Sequence, residues 1–256
     1  MTSDPTRQGE VTSAVADGVA TVTFGHPKSN SLPGAVLSRL ADAIKGAGAD
    51  SAVRVIVLRS TGTGAFCAGA SFDELLAVKD PSGGQQFFSG FANVILAMIR
   101  APQFVVARVH GKAAGGGVGL IAAADYALAT DGAAVKLSEL AVGIGPFVVG
   151  PVIERKVGAG AFAAMSVDAD WRSAAWAATH GLYAETLESV EALDQRLESR
   201  VATLARANPA AVRDLKRVFW EGTDAWDELL RRRAAVSGRL VLSEEAQAAI
   251  ARAGKR

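Results

Sequence analysis

A single cysteine, Cys67, in 256 residues excludes an internal disulfide and any cysteine-rich metal centre, and it fits a reducing compartment. Neither sign of charge is in excess. The 27 Lys and Arg are balanced by 26 Asp and Glu, so no broad field is built for nucleic acid or an anionic membrane. No uncharged apolar run reaches the roughly 18–20 residues of a membrane span, and residues 1–10 are polar, without the apolar core of a signal segment. These absences lead us to expect a cytoplasmic location with neither nucleic acid nor membrane as partner. What is plentiful is apolar surface: half of the residues are hydrophobic, enough for a substantial core.

Residues 11–16 and 19–24 flank Asp17-Gly18 and read as a hairpin at a sheet edge. A helix is predicted over 35–47, a buried strand over 53–59, and a loop at 61–64 that delivers the segment 65–70. A short helix over 72–78 precedes a longer amphipathic helix over 87–100, stopped by Pro102 and followed by a strand over 104–109. Short strands over 127–130 and 134–137 complete an α/β unit of repeated strand-turn-helix passes. From about Leu187 the composition turns to charged helix formers, and Asn208-Pro209 reads as a helix junction. Trp171, Trp176 and Trp226 are expected in core or interface packing, and the run Arg231-Arg232-Arg233 on a solvated or subunit-facing surface.

Chemistry points to the tract Ala114-Gly115-Gly116-Gly117-Val118-Gly119-Leu120, which leads from a strand into a helix. Glycine there lets the backbone approach a ligand or a neighbouring element closely. A second glycine-containing turn lies upstream at Ala65-Phe66-Cys67-Ala68-Gly69-Ala70-Ser71-Phe72. If the two turns converge, each offers a bare N–H, and two such donors can hold the negative charge on a carbonyl oxygen when a proton leaves the adjacent carbon. A helix starting near Gly116 would add its positive end. The missing base is supplied by Glu139, set in the apolar stretch Leu137-Ser138-Glu139-Leu140-Ala141-Val142-Gly143-Ile144, where burial would raise its pKa. A dinucleotide site fits less well, because the run 115–119 has G-x-G-x-G without the full fingerprint.

In order along the chain, His26-Pro27-Lys28-Ser29-Asn30-Ser31-Leu32, Phe66-Cys67-Ala68-Gly69-Ala70, Val109-His110-Gly111-Lys112-Ala113-Ala114-Gly115-Gly116-Gly117, Asp125-Tyr126, and Ser138-Glu139-Leu140 with Gly143-Ile144 resemble the crotonase (enoyl-CoA hydratase/isomerase) superfamily. The resemblance covers essentially the whole chain. It implies an α/β fold, a spiral of ββα repeats over 1–195, and a C-terminal helical region over 196–256 that builds homotrimers or hexamers. It also implies an enzyme acting on acyl-CoA thioesters, with the N–H groups of Ala70 and Gly116 holding the thioester oxygen and Glu139 as acid/base. Lys28, Ser29, Leu32, Ala68, Ala70, Ser71 and Phe72 would lie along the coenzyme A moiety. No metal and no separate cofactor are expected, coenzyme A being part of the substrate.

One departure limits the reaction. Hydratases of the superfamily carry a second glutamate two residues after the glycine tract, where this chain has Gly119. Single-glutamate members are Δ3,Δ2-enoyl-CoA isomerases, and Ile144-Gly145-Pro146-Phe147 resembles their segment after the glutamate. Isomerisation is therefore expected, with hydration in fatty-acid or branched-chain acyl-CoA breakdown as the alternative, and a catalytically weak acyl-CoA-binding subunit as the alternative of another class. Ser71 stands where the family often has aspartate near the adenine site. Leu75, Leu76, Phe87, Phe88, Phe91 and Phe147 are expected to set pocket size. Cys67 is expected in the core and His110 in a structural role, while His26 and His180 have no recognisable partner in the sequence.

Overall fold

Strands covered on both faces carry nearly continuous apolar runs, and Val55–Ser60 and Phe104–Val109 are of this kind. In the computed structural model, which describes residues 9–254, they are β3 and β4 at the centre of a six-stranded sheet. The sheet order is β1 (Glu10–Ala16), β2 (Val19–Gly25), β3, β4, β6 (Tyr126–Thr130), β8 (Glu185–Leu187), with β1 antiparallel to β2 and every other neighbour pair parallel. The polar segment 1–8, on which part of the expectation about a signal segment rests, lies outside the described residues. The hairpin forms at the sheet edge as expected, because Asp17 and Gly18 both take positive φ, 50° and 77°, the twist of a two-residue primed turn.

On one face, Ile56, Leu58, Val105, Ala107 and Val109 meet the buried stripes of α1 (Gly34–Ala49) and α3 (Pro81–Arg100). On the other, Val55, Val57, Val106 and Leu128 meet Leu193, Leu197 and Val201 of α8 (Val190–Ala205). The boundary expected between 195 and 196 falls inside α8, a continuous helix that covers the sheet. The helix expected from 87 starts six residues earlier, because Pro81 takes the first helical position and the Asp80 carboxylate accepts from the Gly83 N–H at 2.8 Å. Between the glycine tract and α8, the chain forms three helices for which no expectation was drawn, α5 (Gly150–Val157), α6 (Ala159–Asp168) and α7 (Ala174–Thr179). The strand expected over 134–137 contracts to β7, Val135–Lys136.

The C-terminal stretch is helical: α9 (Pro209–Phe219), α10 (Trp226–Leu240) and α11 (Glu244–Ala253) follow α8. Helix α10 crosses α3 at glycine on glycine, since a Cβ on Gly84 would lie 2.6 Å from the Gly238 Cα and one on Gly238 would lie 2.3 Å from the Gln85 N. Only bare backbones fit there. Gly238→Val should force the helices apart at a cost of about 1–3 kcal/mol, read in a thermal melt as a Tm loss of roughly 2–4 °C per kcal/mol. An unchanged Tm would mean that the crossing tolerates a side chain.

The described tryptophans divide differently from the expectation. Trp171 is exposed, with the Lys112 and Lys136 ammonium groups 5.4 and 6.0 Å from its ring, while Trp176 and Trp226 are half-buried. Trp220, which the periodicity does not single out, is the buried one. The two histidines expected to lack partners have them. His26 Nδ1 accepts from the Lys28 N–H at 3.2 Å, and His180 stacks on Trp176 at 3.9 Å with its Nδ1 2.8 Å from the Trp176 carbonyl.

Candidate active site

Beside the large sheet, a ladder of short backbone pairings lays four loop segments next to one another. Ala68 N–H donates to the Ser29 carbonyl at 3.1 Å and Leu32 N–H to the Gly69 carbonyl at 2.7 Å. Ala114 N–H donates to the Cys67 carbonyl at 2.9 Å and Gly115 N–H to the Lys136 carbonyl at 2.8 Å. The two last segments are β5 (Ala113–Ala114) and β7, paired in parallel. The ladder delivers the two glycine turns and Glu139, three residues beyond Lys136, to one place. Residues far apart in sequence thus meet through main-chain bonds, which any side chains at these positions could make.

Two glycines need their special backbone. Gly69 has φ 88° and a Cβ on it would lie 2.8 Å from the Ala114 carbonyl and 3.4 Å from the Gly116 N. Gly115, with φ 52° and ψ −119°, turns the chain out of the ladder into α4 (Gly116–Ala123). Beyond these turns, neither the Ala70 nor the Gly116 N–H donates a hydrogen bond among the described residues, and both residues line one cavity. Two free N–H groups there, one of them at a helix N-terminus, are suited to an oxygen that gains negative charge.

The cavity encloses about 550 Å³, part of it open to solvent, and its walls are mostly apolar: Phe72, Leu75, Phe88, Phe91, Val142, Ile144, Phe147 and Val149. Among the described residues lining it, Glu139 is the sole titratable side chain. Its carboxylate abuts Gly115, because a Cβ there would lie 3.0 Å from Oε1 and 3.3 Å from Cδ. Oε2 is out of reach of solvent and has no hydrogen-bond partner among the described residues. Desolvation pushes the Glu139 pKa up to about 7, against an opposing pull from the backbone amides of Glu139 and Ser138. A carboxylate with an unsatisfied oxygen in an apolar wall is poised to exchange a proton near neutrality.

Of the residues expected along coenzyme A, Ala68, Ala70 and Phe72 line the cavity. Ser29 lines a separate polar cleft with His26, Asn30 and Arg39. Leu32 is fully buried in the core and reaches the site only through its backbone, and Ser71 is buried at the start of α2 (Phe72–Ala77). Lys28 is exposed and pairs with Asp73. Leu75, Phe88, Phe91 and Phe147 shape the cavity as expected, whereas Leu76 is exposed and Phe87 faces a neighbouring cleft. Arg231 and Arg232 follow the expectation of a solvated face, but Arg233 donates to the Phe147 carbonyl at 3.3 Å. Cys67 is buried and its thiol is pushed up to about 12, so it stays protonated. His110 is buried outside this cavity, and burial holds its pKa down.

Two contributors, Val149 and Ser237, gave little signal in the sequence. Val149 fills the space in front of Gly119: a Cβ there would lie 2.5 Å from the Val149 Cγ1 and 2.8 Å from its Cβ. Ser237, on α10, and Ser138 supply hydroxyl-bearing side chains to the wall. Val149 and Ser237 sit in ordinary helix-adjacent sequence, and only the order of packing brings them here.

A mixed sheet covered by helices, with two glycine turns and a buried glutamate converging on an apolar cavity beside it, is the arrangement of the crotonase class. The enoyl-CoA hydratase/isomerase family profile matches residues 14–247, and the chain belongs to that family. It is 30% identical over 210 residues to a probable enoyl-CoA hydratase of Rhodobacter capsulatus, covering 81% of this chain and 80% of that protein. It is 35% identical over 124 residues to a (7aS)-7a-methyl-1,5-dioxo-2,3,5,6,7,7a-hexahydro-1H-indene-carboxyl-CoA hydrolase of Rhodococcus jostii, and the match spans about half of each chain, 48%. A crystal structure of a putative enoyl-CoA hydratase from Mycobacterium avium paratuberculosis superposes with a TM-score of 0.83 at 28% identity, covering 96% of this chain and 97% of that one.

Proposed function

We infer that the protein is an acyl-CoA enzyme that moves a double bond between C3 and C2 of an enoyl thioester. The observation that carries this is Glu139, which among the described residues is the sole titratable side chain lining an apolar cavity that also holds two backbone N–H groups without an acceptor. Its carboxylate takes a proton from C2 of a 3-enoyl thioester. The C–H electron pair becomes the C1–C2 double bond and the charge moves to the thioester oxygen, held by the Ala70 and Gly116 N–H groups. The dienolate then takes a proton at C4 from the Glu139 carboxyl, which exchanges with solvent, and the 2-enoyl thioester forms with no net gain or loss of atoms. One carboxylate suffices, because the proton leaves and returns on one face.

Hydration is the second reading, favoured by relatives whose names are those of probable enoyl-CoA hydratases. It requires water to add its hydroxyl at C3 and a proton at C2. Incubation with 3-enoyl- and 2-enoyl-CoA esters in deuterated water separates the two. Deuterium at C2 or C4 without added oxygen supports isomerisation, a 3-hydroxyacyl product supports hydration, and tight binding without turnover across the panel supports a binding subunit. The homotrimer or hexamer and the cytoplasmic location belong to the same proposal.

The base must be ionised, so its raised pKa sets a pH dependence. We expect kcat/KM for isomerisation to rise with pH up to about 7, where Glu139 loses its proton, and to level off above. A profile flat from pH 5 to 8 would remove Glu139 as the base.

A further inference from the structure

Gly119 and Val149 are matched in space, and the match bears on which reaction the site allows. With no side chain at 119, the wall there is the isopropyl group of Val149, which is buried and lines the cavity together with Ile144, Val148 and Phe91. A Cβ on Gly119 would stand 2.5 Å from the Val149 Cγ1, closer than side chains approach one another. A water held for addition needs two or more polar partners. Gly119, Val149 and the neighbouring Ile144, Val148 and Phe91 offer no polar side chain.

We propose that Val149 is the residue that determines reaction specificity in this site, by filling the space where a second polar group and its water would stand. The vacancy left by glycine at 119 is therefore not a water site. It has been closed with an apolar group, and a glutamate introduced at 119 by itself meets Val149. The proposal rests on the reading of Glu139 as the acid/base of an enolate reaction.

The test uses the whole protein as Gly119→Glu and as the double variants Gly119→Glu/Val149→Gly and Gly119→Ser/Val149→Gly, each assayed for hydration of 2-enoyl-CoA and for isomerisation of 3-enoyl-CoA. Glycine is needed at 149 because a Cβ on residue 119 would lie 2.8 Å from the Val149 Cβ but 3.7 Å from its Cα. Gly119→Glu alone is expected to lose thermal stability and to gain no hydration. Gly119→Glu/Val149→Gly is expected to recover stability relative to Gly119→Glu and to hydrate at least about tenfold faster than the unaltered protein, since a second carboxylate then has room to hold water. If it folds with no gain in hydration, the proposal is overturned. Should that variant fail to fold, Gly119→Ser/Val149→Gly, which places a hydroxyl there without burying a charge, decides: a rise in 3-hydroxyacyl product supports the proposal, and an unchanged level overturns it. Absence of isomerisation in the unaltered protein would count against the function proposed above, while the hydration comparison still decides the role of Val149.

Discussion

Glu139→Gln should lose isomerisation of 3-enoyl-CoA by roughly 10²–10⁴-fold, the usual share of a positioned acid/base, while the folded protein becomes more stable in alkaline solution. The two effects share one cause. The Glu139 carboxyl is raised from 4.5 to about 7 by burial, so the folded state keeps its proton where the unfolded chain has lost it. Stability from this group is present below pH 4.5 and is lost progressively as pH rises to about 7, beyond which the loss is constant. At about 1.4 kcal/mol per unit, the full loss is about 3 kcal/mol, and glutamine does not incur it. Denaturant unfolding at pH 5 and pH 8 should therefore show the variant gaining stability relative to the parent at the higher pH. Equal turnover by the variant on 3-enoyl- and 2-enoyl-CoA would remove Glu139 from the chemistry, and a pH-independent stability difference would place its pKa near the ordinary value.

Lys216→Met is expected to produce the largest loss of stability outside the cavity. Lys216 and Asp125 form an ion pair at 2.8 Å with both side chains almost wholly buried, 3% and 2% exposed. The ammonium also donates to the carbonyls of Met98 at 2.8 Å and Gln103 at 2.7 Å. The Asp125 carboxylate accepts from the Val105 N–H at 2.7 Å and from the Trp220 Nε1 at 2.8 Å. All three ammonium donors and both carboxylate oxygens are engaged, and this is what makes two buried charges tolerable. Removing the cation leaves Asp125 buried and uncompensated, at a cost of about 3–5 kcal/mol and a Tm loss of roughly 10 °C. Asp125→Asn/Lys216→Met removes both charges and should recover a large part of the loss. A single variant that melts within 2 °C of the parent would show that the pair contributes little. Because Asp125 follows the end of α4, whose first residue is Gly116, loosening this pair should also weaken turnover.

Much of the site was legible in the sequence because its chemistry is local. A glycine turn, a second glycine turn and a glutamate in apolar surroundings are written as short motifs, and Gly69, Gly115 and Glu139 stand where those motifs put them. The strands at 55–60 and 104–109 were legible for the same reason, since burial on both faces leaves an unbroken apolar run. The start of α3 at Pro81 was missed although Asp80 and Pro81 form an N-terminal signal, because Gly83 and Gly84 argue against a helix when read alone. Gly84 is there for the crossing with Gly238, a requirement set by another helix.

The sequence by itself determined the alternation of strand and helix, the glycine turns, the solitary glutamate and the missing carboxylate at 119, since each depends on residue type and near neighbours. Only the tertiary structure decided that Val149 closes the space before Gly119, that Lys216 neutralises Asp125 from 91 positions away, and that α8 covers the sheet. These depend on packing between segments distant along the chain. A valine or lysine carries no mark of the partner it will meet, because the partner is chosen by the backbone ladder and the close-packed core.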